Sequence, residues 1–166
     1  MSLESLPPGP AQAAVVPRGN LLFRLDDTGT EVWMAGAESH VGVELTLEWF
    51  ESAWVLDCAG ELPREYRRLS ARWEACVFPD IELRPDKMER LQWVARSFAE
   101  GATVAGGPAK LVAVCHHGMN RSGLGAGLIL RALGLGGEEA IRLIRSGRPG
   151  ALGNRAFETI VAEPLS

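Results

Sequence analysis

LVAVCHHGMNRSG, residues Leu111 to Gly123, joins a continuous apolar run to a segment rich in Gly and Leu. Leu111 to Val114 is short, β-rich and uncharged, which predicts a buried strand, and Arg121 with Ser122 opens a helix. Between them lies the spacing Cys-x5-Arg. A tight passage from a strand end to a helix N-terminus turns successive backbone N–H groups inward and forms a nest for an oxyanion. Gly118 eases that turn. The same field favours a thiolate over a thiol, so Cys115 is the candidate nucleophile. Arg121 presents a planar fork that grips two oxygens of a phosphoryl group at once, a geometry lysine cannot supply. The amides of His116, His117, Gly118, Met119 and Asn120, together with Arg121, make the expected phosphate-binding set. A thiolate beside an arginine clamp implies a phosphate ester as substrate.

The rest of the composition is consistent with one domain around this loop. The chain has 166 residues, of which 46% are hydrophobic, enough for a single core. Residues 1–19 carry Pro7, Pro8, Pro10 and Pro17 among small residues and read as a flexible leader, leaving 20–166 as the domain. A net charge of -4 and the lack of a Lys/Arg cluster argue against a nucleic-acid partner. The three cysteines, Cys58, Cys76 and Cys115, have neither metal-ligand nor disulfide-framework spacing, which suits a reducing, cytoplasmic setting. No basic start precedes an apolar run, and no stretch approaches the roughly 20 apolar residues of a membrane span. Neither membrane nor secretion is expected, and the sequence assigns no oligomeric state.

Upstream of the loop, Leu21 to Leu25 and Glu31 to Ala35 flank the turn-forming DDTGT and predict a hairpin at one edge of a sheet. Val43 to Glu51 places Val43, Leu47 and Phe50 on one helical face, and Ala53 to Cys58 reads as a buried strand. Trp49 and Trp54 are expected to pack rather than bind ligand. Pro63 to Arg72 predicts a surface helix or loop whose Arg64, Arg67, Arg68 and Arg72 face water, and Ala75 to Phe78 predicts another buried strand. Pro85 and Asp86 start a helix in which Met88, Leu91, Val94, Ala95 and Phe98 recur at helical spacing until Gly101 stops it. Three helices follow the loop, over Ser122–Leu133, Glu138–Ser146 and Arg155–Ala162. The alternation predicts an α/β fold, a mostly parallel twisted sheet of about five strands covered by helices on both faces.

Cys115, Gly118, Arg121, Ser122 and Gly123 match the Cys-x-x-Gly-x-x-Arg-Ser-Gly signature of the protein tyrosine phosphatase superfamily, and the chain resembles its small dual-specificity branch. FPDIELRPD, residues 78–86, is similar to the general-acid loop of that family, and EEAIRLIRSGRPGALGN, residues 138–154, to the helix and turn beyond its site. The resemblance covers residues 20 to 162. One departure is Val114, where the family usually carries histidine.

The resemblance implies a single phosphatase domain that needs no metal or cofactor and acts on phosphorylated proteins or small phosphorylated molecules. No stretch resembles the phosphotyrosine-gripping loop of the larger tyrosine-specific enzymes, which implies that Ser/Thr phosphates are accepted beside Tyr phosphates. Cys115 would form a phosphocysteine, Arg121 and the loop amides would hold the equatorial oxygens, and a carboxylic acid would protonate the leaving oxygen. Asp80, directly after Phe78-Pro79, is favoured for that acid over Asp86, which reads as a helix-start residue. Glu82 is expected to be exposed. Ser122 has two readings, a hydroxyl that stabilises the departing thiolate and an N-cap of its helix. Asn154 likewise reads either as the amide that positions substrate or water in the family or as a cap of the last helix. His117 either shapes the pocket or matters through its backbone alone, and the histidine spacing suggests no metal site.

Two further likenesses open alternatives. HGMNRSG resembles the His-Gly-x-Asn-Arg-Thr-Gly segment of cysteine-dependent RNA 5′-triphosphatases, whose RNA affinity the acidic charge opposes. A phosphoinositide or small-molecule phosphatase lacks its expected loop lysines here, and a phosphate-binding pseudophosphatase would have no use for an intact Cys115 and Arg121. VLDCAGELP, residues 55–63, resembles the lipid phosphatase segment that carries a resolving cysteine, so Cys58 is either that residue or a core thiol.

Overall fold

The computed structural model describes residues 16–163. Its strands are β1 (Arg18–Arg24), β2 (Glu31–Gly36), β3 (Val43–Glu44), β4 (Ala53–Asp57), β5 (Arg72–Ala75) and β6 (Lys110–Cys115). Its helices are α1 (Leu47–Phe50), α2 (Arg64–Leu69), α3 (Pro85–Ala102), α4 (Arg121–Ala132), α5 (Gly137–Gly147) and α6 (Arg155–Ala162). The six strands make one sheet in the order β3-β1-β2-β6-β4-β5, one strand more than expected. β2, β6, β4 and β5 run parallel, while β1 pairs antiparallel with both β2 and β3. Much of the expected leader, residues 1–15, lies outside the described residues, and β1 takes in Arg18 and Gly19 at its far end.

β6 occupies the centre because its side chains from Leu111 to Cys115 are all apolar and buried, with only Lys110 at its start charged and half-buried. Alternation sends Leu111, Ala113 and Cys115 into the core beneath α3, α4, α5 and α6. Val112 and Val114 enter a second core with Phe50 of α1 and Tyr66 of α2 on the opposite face. Val114 is thus a packing residue turned away from the Cys115 side. Fully burying one of these larger apolar side chains stabilises the fold by about 1.5–3 kcal/mol.

Four expectations need correction, each because a contact distant in sequence decides the local structure. Val43 and Glu44 form strand rather than helix: Val43 pairs with Gly19 and Arg18 bridges to Glu44 at 3.1 Å. The helix begins only after Thr46, whose hydroxyl accepts the Trp49 N–H. The strand expected over Ala75 to Phe78 ends at Ala75. The chain stays beside β4 through Cys76 N–H to Asp57 O at 3.0 Å and Phe78 N–H to Cys58 O at 3.3 Å, then leaves at Pro79. Burial of Cys76 and Phe78 therefore came without regular strand. Gly101 does not stop α3, which runs to Ala102; a Cβ there would lie 2.3 Å from the Trp54 ring, so this glycine serves packing. Arg72 is not simply solvated, for it pairs with Glu74 at 3.0 Å and covers the Trp54 ring at 4.9 Å.

Trp49 and Trp54 pack as expected, Trp49 edge-on to Trp33 and Trp54 against Phe98. Among the described residues, no helix is long and apolar enough to cross a membrane.

Candidate active site

The parallel strands deliver their C-terminal ends to one rim, where open α/β sheets place ligands. β6 ends on Cys115, and residues 116–120 turn directly into α4. Gly118 takes φ +75, the left-handed region that favours glycine. Its N–H donates to Cys115 Sγ at 3.3 Å, and Ser122 Oγ lies 3.2 Å from the same sulfur. Cys115 is 3% exposed. Asn120, not Ser122, occupies the N-cap position of α4, so the Ser122 hydroxyl is committed to the sulfur.

Gly36, at the end of β2, backs onto the loop at closest approach: a Cβ there would stand 2.5 Å from His117 C and 2.7 Å from Gly118 N. The turn after α5 braces the other side. Arg148 donates to His117 O at 3.3 Å, Leu152 N–H to Met119 O at 3.2 Å, and Asn154 N–H to Asn120 Oδ1 at 3.1 Å. Leu152 adopts φ +59, a conformation unfavourable for a bulky residue and offset by these contacts.

Asp80 is brought to the loop and Asp86 is not. Asn120 Nδ2 donates to one Asp80 carboxylate oxygen at 2.9 Å, and Asn154 Nδ2 to the other at 3.1 Å. Asp86 sits in the first turn of α3, facing Arg84 at 3.5 Å. Arg121 reaches the same loop, donating to Phe78 O at 3.4 Å. Asn154 is the cap of α6, its Oδ1 accepting from Ala156 and Phe157 N–H, and its Nδ2 makes a contact the sequence did not indicate, donating to Asp80 Oδ1 and Ile81 O. Glu82 is exposed.

Cys58 lies one step beyond the Asp57–Val114 pair of the parallel β4–β6 register, next to Cys115 at the same rim. Burial pushes its thiol well above the ordinary cysteine value, and the neighbouring Cys115 adds to the effect. Residues that the sequence did not single out also line the rim. His116 is held between Glu61, bonded to Nδ1, and Glu38, 3.3 Å from Nε2. Only their positions after β4 and β2 betray Glu61 and Glu38. A hollow of about 650 Å³ opens elsewhere between α3, α4 and α6, lined by Met88, Ala95, Ala99, Leu128 and Ile160. It shares no residue with the loop.

Solved structures share this fold. Tk-PTP in its active form aligns with a TM-score of 0.56 and 21% identity over 78% of this chain and 87% of its own. The fold is that of the protein tyrosine phosphatases. A kinase associated phosphatase, KAP, with serine in place of its catalytic-site cysteine shares the phosphatase fold with a TM-score of 0.62 and 16% identity over 90% of this chain and 93% of that one. The Yvh1 phosphatase domain from Chaetomium thermophilum gives 0.54 and 19% over 78% and 87%. No family model and no curated protein matches the chain.

Proposed function

We propose that residues 20–166 form a cysteine-dependent phosphomonoesterase of the dual-specificity type. The observation that carries this reading is the convergence on Cys115 Sγ of the Gly118 N–H and the Ser122 hydroxyl, at the mouth of a loop that ends in Arg121. The Ser122 oxygen accepts from the thiol, and once the sulfur is ionised its hydroxyl turns to donate beside the Gly118 N–H, stabilising the negative charge that an attacking and a departing thiolate carry.

In the first step the Cys115 thiolate attacks phosphorus in line, forming an S–P bond as the P–O bond to the alcohol or phenol breaks. Asp80, as the carboxylic acid, gives its proton to the leaving oxygen. The remaining loop amides and the Arg121 fork hold the three equatorial oxygens. In the second step water attacks the phosphocysteine, Asp80 carboxylate takes a proton from it, and Ser122 donates to the sulfur as the thiolate leaves. Asn154 and Asn120 keep the acid in register through their bonds to Asp80.

Glu38 and Glu61 beside the loop, with the net charge of -4, support a substrate bearing one phosphoryl group over RNA triphosphate ends or polyphosphorylated headgroups. Ile81, 72% exposed next to Asp80, offers an apolar contact to an aryl ring or peptide. Phosphotyrosine, and phosphoserine or phosphothreonine in proteins, is the substrate class we assign, and three free cysteines suit a cytoplasmic setting. Cys58 is assigned as the resolving thiol: peroxide oxidises Cys115 to a sulfenic acid, and attack by Cys58 sulfur expels water and leaves a disulfide.

Vanadate-sensitive hydrolysis of a generic aryl phosphate by the purified chain is the expected result. Absence of turnover with tight vanadate binding would convert the reading to a phosphate-binding module. A panel of phosphopeptides, phosphoinositides and RNA triphosphate ends then tests the substrate class, with phosphopeptides expected to be hydrolysed fastest.

A further inference from the structure

Arg148 is 1% exposed, and among the described residues no carboxylate reaches it. Its guanidinium donates to Asn20 Oδ1 at 2.9 Å, Val41 O at 3.3 Å, Arg18 O at 3.5 Å, His117 O at 3.3 Å and Ser39 Oγ. Every acceptor is neutral, and Nε has no partner. The other buried arginine, Arg131, has an ordinary explanation: it donates to Val161 O and Glu163 O, where α6 ends and the helix field is negative. Arg148 is the C-cap residue of α5, but its guanidinium donates to none of that helix's carbonyls. A buried cation without a counter-ion is strongly disfavoured, and arginine keeps its proton, so the missing anion needs a physical cause.

The signature loop supplies one. His117 C=O and Gly118 N–H belong to a single peptide unit, and in a planar trans peptide they point in opposite directions. On one side the carbonyl accepts from Arg148; on the other the N–H donates to Cys115 Sγ. Gly36 blocks the unit from behind, leaving it little freedom to rotate. Hydrogen bonds linked in this way polarise one another, most strongly when the terminal donor is charged.

We propose that Arg148 is a positioning residue for the nucleophile: through the His117–Gly118 peptide it aims and polarises the N–H that holds the Cys115 thiolate, which is the anion its buried charge serves. The inference rests on reading Cys115 as the nucleophile. Burial pushes the guanidinium below its ordinary value, and a negative Cys115 pulls the other way, consistent with the two sharing one electrostatic environment. Other titratable groups on the converging elements are Arg18 on β1, Glu38 after β2, Asp57, Cys58 and Glu61 at and after the end of β4, Asp80 on the segment before α3, Arg121 on α4, and His116 and His117 within the loop. Substitutions at Asn20, Arg131 and Arg148 leave all of them in place.

Alkylation of Cys115 by iodoacetamide, located by mass spectrometry and tracked against pH, reads the thiolate without requiring any substrate. Asn20→Asp puts a carboxylate where the Asn20 oxygen accepts from Arg148, compensating the charge with almost no change in shape. It is expected to raise the alkylation midpoint by about one pH unit, a roughly tenfold loss of rate below both midpoints. Arg148→Met should raise it further and Arg148→Lys less, whereas Arg131→Met, which also removes a buried arginine, should leave it at the wild-type position. An unshifted midpoint in folded Asn20→Asp protein overturns the proposal, as does an equal rise in Arg131→Met. If Arg148→Met does not fold, the isosteric variant decides alone. A wild-type protein without phosphatase activity would defeat the proposed function while leaving this measurement interpretable.

Discussion

The ends of β6 and β4 are neighbouring parallel strands that lead into the same residue type, yet they make opposite surroundings for it. After β6 the chain turns into a helix N-terminus, and Cys115 meets an N–H, a hydroxyl and, through the His117–Gly118 peptide, the Arg148 guanidinium. After β4 the turn is closed by an anion: Asp57 Oδ1 accepts from Ala59 N–H at 3.2 Å and Gly60 N–H at 2.8 Å. Those amides are occupied by a carboxylate and do not reach the Cys58 sulfur. Burial without donors pushes the Cys58 thiol up, so at neutral pH it stays protonated. Thiol chemistry in this fold is therefore assigned by the turn that each strand enters rather than by the strand itself.

The severest test exchanges the two sulfurs' roles one at a time. Cys115→Ser should lower kcat by about 10⁴-fold or more while vanadate still binds, because the nest persists. Cys58→Ser should leave kcat within about twofold, since a buried neutral thiol takes no part in turnover. Comparable losses in both would erase the contrast. Next in size, Arg121→Lys should cost about 10³-fold in kcat/KM, as a point charge replaces a fork gripping two oxygens. Wild-type kinetics in that variant would remove Arg121 from the site.

Asp80→Asn should slow poor leaving groups by about 10²-fold and flatten the basic limb of the kcat/KM profile, and Asp86→Asn should do neither. The reverse pattern would assign the acid to the α3 start. Smaller in effect on rate, but sharper for the comparison, is oxidation. Brief peroxide treatment of wild-type protein should be fully reversed by dithiothreitol through a Cys58–Cys115 disulfide, while Cys58→Ser protein should lose activity irreversibly. Identical recovery in the two would return Cys58 to a packing role.

The smallest effect lies farthest from the loop. Burial pushes the Glu74 carboxyl up, but hydrogen bonds from Arg72 and Arg90 outweigh it and leave the group below its ordinary value of 4.5. Its contribution to stability is then present in full above that unfolded-state value and lost as pH falls through the folded one. Glu74→Gln should lower Tm by about 2 °C at pH 7, discounted for partial exposure, with the difference vanishing in acid and kcat unchanged. A change in kcat would mean that β5 is coupled to the rim.

Legibility in the sequence divides along the same line, between local and distant causes. The signature loop lay open because its strand, turn glycine, arginine and helix start are contiguous, so one stretch carries both the geometry and the chemistry. The uninterrupted Leu111–Val114 run likewise announced a strand buried on both faces, and Pro85 with apolar spacing announced α3. Val43 misled because its strand exists only by pairing with Gly19, whereas its spacing to Leu47 and Phe50 is helical. Cys76 and Phe78 are buried as their composition demands, but burial does not specify a ladder. Arg148 was invisible for a related reason: RPG reads as a turn, and the acceptors that give the arginine its purpose come from Asn20, Ser39, Val41 and His117.

Gly36 carries the same lesson into the design of such sites. Because no side chain at that place can coexist with the His117–Gly118 peptide as it stands, the two strand ends form an interlocked pair. Gly36→Ala would act like a lesion in the cradle of the proposed nucleophile although it does not touch the Cys115 sulfur. The recognition pattern for this loop is accordingly discontinuous, and a graft that transplanted residues 115–123 alone onto another sheet would inherit the reactive groups without the clearance that lets them assemble.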